Sequence, residues 1–142
     1  MKNILLFGAG KSATHLIEYL LQHARSDNWI LTVADANASL AQQKIGSHSA
    51  GKILQLDITD IAARRNAIGQ ADIVISMMPA FLHGQIASDC VELGRHLLTA
   101  SYVDNDMRQL EPAIAGKNIL VLCEMGLDPG IDHMSAMEMI NN

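Results

Sequence analysis

Short apolar runs alternate with longer stretches of helical periodicity along the chain, and this alternation limits the possible fold more than any other feature. Most runs lack polar alternation, which is typical of parallel strands buried on both faces. Because right-handed crossovers connect such strands, the pattern predicts an α/β protein with a doubly wound parallel sheet in order 3-2-1-4-5-6. The predicted strands cover residues 3–8, 29–34, 52–57, 72–76, 96–100 and 118–123.

The composition is that of a single soluble domain. The chain has 142 residues, of which 49% are hydrophobic and 18% charged, and a net charge of -5. This charge argues against nucleic acid as a partner, and no apolar run approaches the roughly 20 residues of a membrane span. Cys90 and Cys123 lack metal-ligand spacing, so we expect core thiols and no metal. We therefore expect a cytoplasmic protein without a membrane partner.

The first run leads directly into GAGKSA at residues 8–13, a match to the looser dinucleotide fingerprint G-x-G-x-x-A. Gly8 would permit the tight turn, Gly10 would let the backbone approach a pyrophosphate, and Ala13 would allow close helix packing. Lys11 could add charge there or be merely solvated. The motif is weak alone, but its place in the first strand–helix turn predicts a Rossmann-type dinucleotide site.

The second run is followed by Asp35, which lies 25 residues beyond Gly10, against about 20 in the fingerprint. A carboxylate there would accept hydrogen bonds from the adenosine ribose and repel a 2′-phosphate. Ala36 and Asn37 supply no cation, so NAD is favoured over NADP. A turn-forming role for Asp35 is the alternative. Asp57 either contacts the adenine or caps the next helix.

Polar stretches follow the last three predicted strands: SMMPAFLH at 76–83, TASYVDND at 99–106 and GLDPGIDH at 126–133. The carboxyl ends of parallel strands meet at one edge of the sheet, where ligands bind. Within these stretches His83 is expected to be an exposed helix residue, and Asp128 could simply cap the final helix. Ser101 and Tyr102 either contribute to a site or are loop residues that happen to carry hydroxyls. A capping role would not account for the whole of GLDPGIDH.

These stretches resemble the saccharopine dehydrogenase family. The similarity runs over essentially all 142 residues and is most specific in EMGLDPGIDHM, at 124–134. The family's enzymes join or split saccharopine, with 2-aminoadipate 6-semialdehyde and L-glutamate on the other side and a nicotinamide as hydride carrier. The resemblance implies an NAD-linked, L-glutamate-forming saccharopine dehydrogenase of lysine metabolism, with this chain as its cofactor-binding part.

The resemblance also implies the site residues. Asp128 and Tyr102 would be catalytic, and Ser101 and Tyr102 would contact substrate. Ala80 departs from the family, whose members commonly carry Tyr there, so any contact by that ring is missing. The implied cofactor contacts are Gly8, Gly10, Lys11, Ser12, Ala13, Asp35, Ala36, Asn37, Asp57, Ile58, Met78, Ala100, Ser101, Leu127, Asp128 and Pro129.

The roles within GLDPGIDH are expectations of the same kind. Gly126 and Gly130 would let the backbone pass close to the nicotinamide, and Asp128 would lie near the substrate amine. Asp132 is expected to cap the next helix, and His133 to orient neighbours or pack against them.

An amphipathic segment from Ile131 onward has no further element against which to pack. We therefore expect residues 1–142 to be an NAD(P)-binding domain that is inactive alone, truncated before a substrate-binding domain through which the protein forms a homodimer. Two alternatives are a carboxyspermidine-type imine reductase and the non-enzymatic NAD-sensing domain of potassium uptake systems. The third strand of that sensor typically ends Gly-Asp, where this chain has Leu56-Asp57.

Overall fold

The computed structural model describes residues 1–141. The strands are β1 (Lys2–Phe7), β2 (Trp29–Asp35), β3 (Gly51–Gln55), β4 (Ile73–Ser76), β5 (His96–Thr99) and β6 (Val121–Leu122). The helices are α1 (Thr14–His23), α2 (Ala38–Ile45), α3 (Ile61–Gly69), α4 (His83–Leu93), α5 (Asn105–Lys117) and α6 (Ile131–Asn141). Single 3₁₀ turns, Lys11–Ala13 and Ala80–Leu82, lead into α1 and α4.

The strands form one parallel sheet in the order β3-β2-β1-β4-β5-β6, which confirms the predicted topology. The order reverses between β1 and β4, so the loops after these two strands diverge and leave a crevice between them. Each predicted apolar run overlaps one strand. The fold therefore places the glycine loop, which follows β1, at the edge of that crevice.

The core lies on both faces of the sheet because alternate residues of each strand point to opposite faces. One face carries Ile4, Leu6 and Leu31 against Ile17 of α1 and Ile45 of α2. The other face packs against α3, α4 and α5 through Leu5, Phe7, Val74, Ile68, Ile86 and Met107. Cys90 lies in this second layer, where burial raises the pKa of its thiol to about 12. Cys123 is half-buried beside it.

The last strand is shorter than the predicted run 118–123. Helix α5 continues to Lys117, and Asn118 then adopts the left-handed conformation, with a φ of 52°, that ends the helix. Only Val121 and Leu122 pair with β5 as a strand. The first half of the apolar run is therefore used to leave the helix.

A buried ion pair links α3 to α4. Nε of Arg64 donates to Oδ2 of Asp89 at 2.6 Å, and both side chains are almost fully buried. Nη1 of Arg64 also donates to the carbonyl of Ile58, in the loop after β3. This bond holds that loop where β3 ends.

Within the described residues, no helix has the length and apolar character to cross a membrane.

Candidate functional site

The loop after β1 has the geometry that its glycines predict. Gly8 has a φ of +96°, and a Cβ there would lie 3.0 Å from the carbonyl oxygen of Met77. Its lack of a side chain therefore allows β1 to pass the loop after β4. Gly10 faces open space instead, with no atom within 4 Å of the position of a Cβ. The buried Ala13 begins the contact of α1 with the sheet.

Asp35, at the end of β2, is bonded to the glycine loop. Its Oδ2 accepts from the backbone N–H of Ala9 at 2.7 Å, and its Oδ1 accepts from the N–H of Asn37 at 2.8 Å. Each carboxylate oxygen can accept a second hydrogen bond. The carboxylate is therefore held in one orientation with acceptor capacity remaining. Asn37 itself caps α2 by accepting from the N–H of Ser39 at 3.0 Å.

A small pocket of about 100 Å³ lies beside Asp35. Its lining contains two carboxylates, Asp35 and Asp57, and no lysine or arginine among the described residues. The full lining is Phe7, Ala34, Asp35, Ala36, Leu56, Asp57, Ile58 and Met78. We call this the adenosine-side pocket, because five of the predicted cofactor contacts meet there.

Asp57 does not cap α3. Its Oδ1 accepts from the backbone N–H of Thr59 at 2.9 Å and from the Thr59 hydroxyl at 2.8 Å, and these bonds lower the pKa of the carboxyl. The cap of α3 is Asp60, which accepts from the N–H of Ala63. The capping alternative for Asp57 is therefore wrong, and its carboxylate remains exposed at the mouth of the adenosine-side pocket.

A larger and mostly apolar cleft of about 750 Å³ lies on the other side of the glycine loop. Ser12 lines it from the 3₁₀ turn before α1, and Ala100 and Leu127 line it from the loops after β5 and β6. Ile75, Met77, Leu98, Met125, Ile131 and Met134 supply much of its apolar wall. We call it the nicotinamide-side cleft, because three of the predicted cofactor contacts line it.

A further cleft of about 490 Å³, beside Asn3 and Lys52, contains none of the predicted site residues.

Tyr102 and Asp128 form a hydrogen-bonded pair at the rim of this region. The Tyr102 hydroxyl donates to Oδ1 of Asp128 at 2.6 Å, although the residues are 26 positions apart. This bond is the main reason that the pKa of Tyr102 is raised. The phenol therefore stays protonated near neutral pH. Both side chains are exposed, with Tyr102 57% accessible, so both can meet a ligand.

The GLDPGIDH stretch closes a tight loop before α6. The N–H of Gly126 donates to the carbonyl of Pro129, and the N–H of Ile131 donates to the carbonyl of Gly126, both at 3.0 Å. A Cβ on Gly130, whose φ is +150°, would lie 2.1 Å from the Gly126 oxygen. The glycines therefore allow the two backbone segments to touch. Tyr102 meets Asp128 within this closed loop.

Asp132 is not a helix cap, because it lies inside the first turn of α6. Its Oδ1 accepts from the N–H of Gly130 at 3.0 Å and lies 2.8 Å from Nδ1 of His133. The side chains of Asp128, Asp132 and His133 come within 4.8 Å of one another and are exposed. The prediction that Asp132 caps the helix is therefore wrong, although its side chain does accept a hydrogen bond from Gly130, just before the helix.

His83 is buried, which overturns the expectation that it is exposed. Its Nδ1 lies 2.9 Å from the hydroxyl of Ser76, and the hydroxyl of Thr99 lies 3.2 to 3.3 Å from the ring nitrogens. Thr99 also accepts from the N–H of Ser101 at 3.3 Å. The ring thus joins the ends of β4 and β5. Sequence spacing alone does not reveal this, because the two partners, Ser76 and Thr99, lie 7 and 16 residues from His83 and share no motif with it.

The free energy of unfolding should depend on His83 in mild acid. Burial lowers the pKa of its imidazole, and nearby Asp104 only partly opposes this. The unfolded chain takes up a proton near pH 6.5, before the native state does, so stability is lost as the pH falls below about 6.5. Denaturant unfolding between pH 7 and 5 should show a smaller loss for His83→Gln than for the unmodified chain. His15→Gln, at an exposed histidine, should keep the original profile.

Many of the predicted cofactor residues lie in the glycine loop or line one of the two pockets. Asp35, Ala36, Asp57, Ile58 and Met78 line the adenosine-side pocket. Ser12, Ala100 and Leu127 line the nicotinamide-side cleft. Lys11 is exposed in the 3₁₀ turn before α1, and Pro129 is buried in the loop before α6. Sequence reasoning missed Lys44, a half-buried residue of α2 that contacts the glycine loop, since no motif includes it.

Known proteins are similar to this chain over nearly its whole length. A family model described as the saccharopine dehydrogenase NADP binding domain matches residues 4–122. The NADP(+)-linked, L-glutamate-forming saccharopine dehydrogenase of Saccharomyces cerevisiae is 36% identical over 99% of this chain and 30% of its own length. The alpha-aminoadipic semialdehyde synthase of Arabidopsis thaliana is 35% identical over 98% of this chain and 15% of its own length.

A solved structure gives the same result. Apo saccharopine dehydrogenase (L-Glu forming) from Saccharomyces cerevisiae matches with a TM-score of 0.88 at 35% identity, over 99% of this chain and 31% of that protein. The parallel sheet, glycine loop and strand-end carboxylate are those of a dinucleotide-binding domain. The chain belongs to the saccharopine dehydrogenase family. It spans less than a third of the length of these relatives.

Proposed function

We propose that this chain is the cofactor-binding part of an NAD-linked, L-glutamate-forming saccharopine dehydrogenase. One observation carries the cofactor preference: the adenosine-side pocket is lined by two carboxylates and, in the part of the chain described, by no cation. A 2′-phosphate placed there would face like charge, whereas ribose hydroxyls can donate to Asp35. The proposed preference for NAD differs from the NADP that is named for the yeast relative and in the description of the family model.

The proposed reaction oxidises the C–N bond of the secondary amine and releases 2-aminoadipate 6-semialdehyde and L-glutamate after hydrolysis. A bound nicotinamide would supply the hydride acceptor. The carboxylate of Asp128 would stabilise positive charge as the substrate becomes an iminium ion, or relay a proton to or from water. Tyr102, protonated and bonded to Asp128, would orient that carboxylate. Ser101, beside Ala100 at the cleft, would contact the amino-acid end of the substrate.

The negative charge of the proposed substrate suggests that this chain binds the cofactor while another region binds the substrate carboxylates. Saccharopine carries several carboxylates, which arginine side chains would complement through bidentate hydrogen bonds. The polar stretches 76–83, 99–106 and 126–133 contain no lysine or arginine. We therefore propose that these cations come from a region equivalent to the rest of the relatives' length, through which a homodimer also forms. The chain alone should bind dinucleotide without turning over saccharopine.

A chimera tests this function. In it, the 142-residue chain replaces the matching part of the yeast saccharopine dehydrogenase, to which it is 35% identical with a TM-score of 0.88. We expect saccharopine-dependent reduction of NAD with a higher kcat/KM than with NADP. The unmodified yeast enzyme, whose name specifies NADP, is the control.

Two outcomes would contradict different parts of the proposal. A chimera that keeps a preference for NADP would contradict the assignment of NAD. A chimera that folds and binds dinucleotide but does not oxidise saccharopine would contradict the substrate assignment. Reduction of a carboxyspermidine-type imine by that chimera would then favour the imine reductase alternative.

A further inference from the structure

Lys44, near the end of α2, contacts the glycine loop across the surface of α1. Its Nζ donates to the carbonyl oxygen of Gly10 at 2.5 Å and to the hydroxyl oxygen of Thr14 at 2.6 Å. These partners precede it in the chain by 34 and 30 residues. The side chain is half-buried, so the ammonium group is positioned by the packing of α2 against α1.

These bonds help to fix which way the peptide groups of the loop point. They add to the backbone bonds of the 3₁₀ turn, in which the N–H of Ala13 donates to the Gly10 carbonyl at 3.1 Å and the N–H of Thr14 donates to the Lys11 carbonyl. The C=O and N–H of a trans peptide point in opposite directions. By accepting from Lys44, the Gly10 carbonyl directs the N–H of Lys11 to the opposite side of the backbone. The Thr14 hydroxyl donates to the Lys11 carbonyl at 2.9 Å, which fixes the N–H of Ser12 in the same manner.

Asp35 holds the same loop from the other side. It accepts from the N–H of Ala9, one residue before the carbonyl that Lys44 binds. The Asp35 carboxylate therefore holds the N–H of Ala9, and the Lys44 ammonium holds the carbonyl of the next residue, Gly10. The first N–H groups of a helix have no intrahelical acceptor and are suited to an anion. The loop residues Lys11 and Ser12 are exposed at this point.

We propose that Lys44 is a positioning residue for the pyrophosphate of the dinucleotide. It orients the N–H groups of Lys11 and Ser12 through Gly10 and Thr14, and it does not itself need to touch the phosphates. This inference rests on the dinucleotide binding in the proposed function, but not on the substrate. It differs from simple attraction between a lysine and an anion, because it depends on the Thr14 hydroxyl, which carries no charge.

The test measures binding of ADP-ribose and of adenosine by calorimetry or NMR titration. Lys44→Met should weaken ADP-ribose binding about tenfold or more, since a charge-assisted hydrogen bond to the loop is lost. Thr14→Val keeps the shape and net charge and should weaken ADP-ribose binding about threefold to tenfold. Lys44→Arg should restore part of the loss. Adenosine, which lacks a pyrophosphate, should bind all variants alike.

The matched control is Lys52→Met, which removes one exposed positive charge on β3. It should leave ADP-ribose affinity within about twofold, because exposed charges at a distance are screened by salt. An unchanged Thr14→Val, together with a Lys44→Met loss that disappears at high salt, would show attraction alone and overturn the proposal. Equal losses of adenosine and ADP-ribose binding with a lowered Tm would show a structural role and also overturn it.

The two proposals fail in distinguishable ways. If the unmodified chain binds no ADP-ribose, dinucleotide binding itself is wrong. If the unmodified chain binds and Lys44→Met binds equally well, only the role of Lys44 is wrong. Thr14 and Lys44 lie outside the lining of the adenosine-side pocket. The adenosine titration therefore reports on that pocket separately.

Discussion

Asp35→Arg should make this domain bind NADP more tightly than NAD and change the ratio of the two dissociation constants by about 100-fold or more. The substitution replaces the negative carboxylate, which repels a 2′-phosphate, by a guanidinium that can pair with it. It also removes the acceptor of the Ala9 N–H, so binding of both dinucleotides should weaken somewhat. The ratio of dissociation constants, measured by calorimetry on the 142-residue chain, isolates the effect on specificity.

Asp35→Asn is the matched variant for this prediction. An asparagine keeps one side-chain oxygen for the Ala9 N–H and removes the negative charge. It should reduce the preference for NAD without creating one for NADP. Asp27→Asn, at an exposed aspartate in the turn before β2, should leave the ratio unchanged. Equal affinities of the unmodified domain for NAD and NADP would remove Asp35 from this role.

The strand order and the position of the glycine loop could be predicted from the sequence because they depend on local patterns. Buried parallel strands need apolar runs, and crossover helices need an apolar stripe, so the alternation indicates the topology before any contact is known. The end of α5 was harder to predict. The run 118–123 is apolar from Ile119 onward, yet a left-handed residue at Asn118 delays the strand to Val121.

The site could be predicted only where it is built from chain neighbours. Asp35 follows a strand directly, and the glycines carry a motif, so both were assigned from spacing. His83 contacts residues on the ends of two strands, and Lys44 contacts a carbonyl 34 residues earlier in the chain. No motif in the sequence indicates either set of partners. The close approach of Gly130 to Gly126 could not be predicted either, since it depends on how the loop folds back on itself.

Tyr102 and Asp128 illustrate both cases. The resemblance to the saccharopine dehydrogenase family implied that each is catalytic, but the residue types alone left a helix cap and a loop hydroxyl as alternatives. The structure brings the phenol and the carboxylate to 2.6 Å. It also keeps both exposed beside the nicotinamide-side cleft, whose lining includes the neighbours Ala100 and Leu127. Their catalytic role stays a prediction that substitution can test.

In the yeast chimera, Asp128→Asn should lower kcat for saccharopine by about 100-fold or more, the usual contribution of a positioned acid or base. The amide keeps the size of the side chain and can still accept from the Tyr102 hydroxyl, so the fold should be retained. The Kd for NAD should change little, because Asp35 and the glycine loop are untouched. Asp106→Asn, at an exposed aspartate in the first turn of α5, controls for the lost charge.

Tyr102→Phe separates orientation from proton transfer in the same chimera. If the phenol only orients Asp128, its loss should lower kcat by a smaller factor than Asp128→Asn and should leave the pH dependence of kcat in place. If the phenol itself donates a proton, the basic limb of the pH profile should disappear, because the bond to Asp128 raises the pKa of Tyr102. If the two residues act as one unit, the double variant Tyr102→Phe/Asp128→Asn should have about the same kcat as Asp128→Asn alone. Turnover by both single variants at the rate of the unmodified chimera would remove the pair from the mechanism and leave this chain as a cofactor site alone.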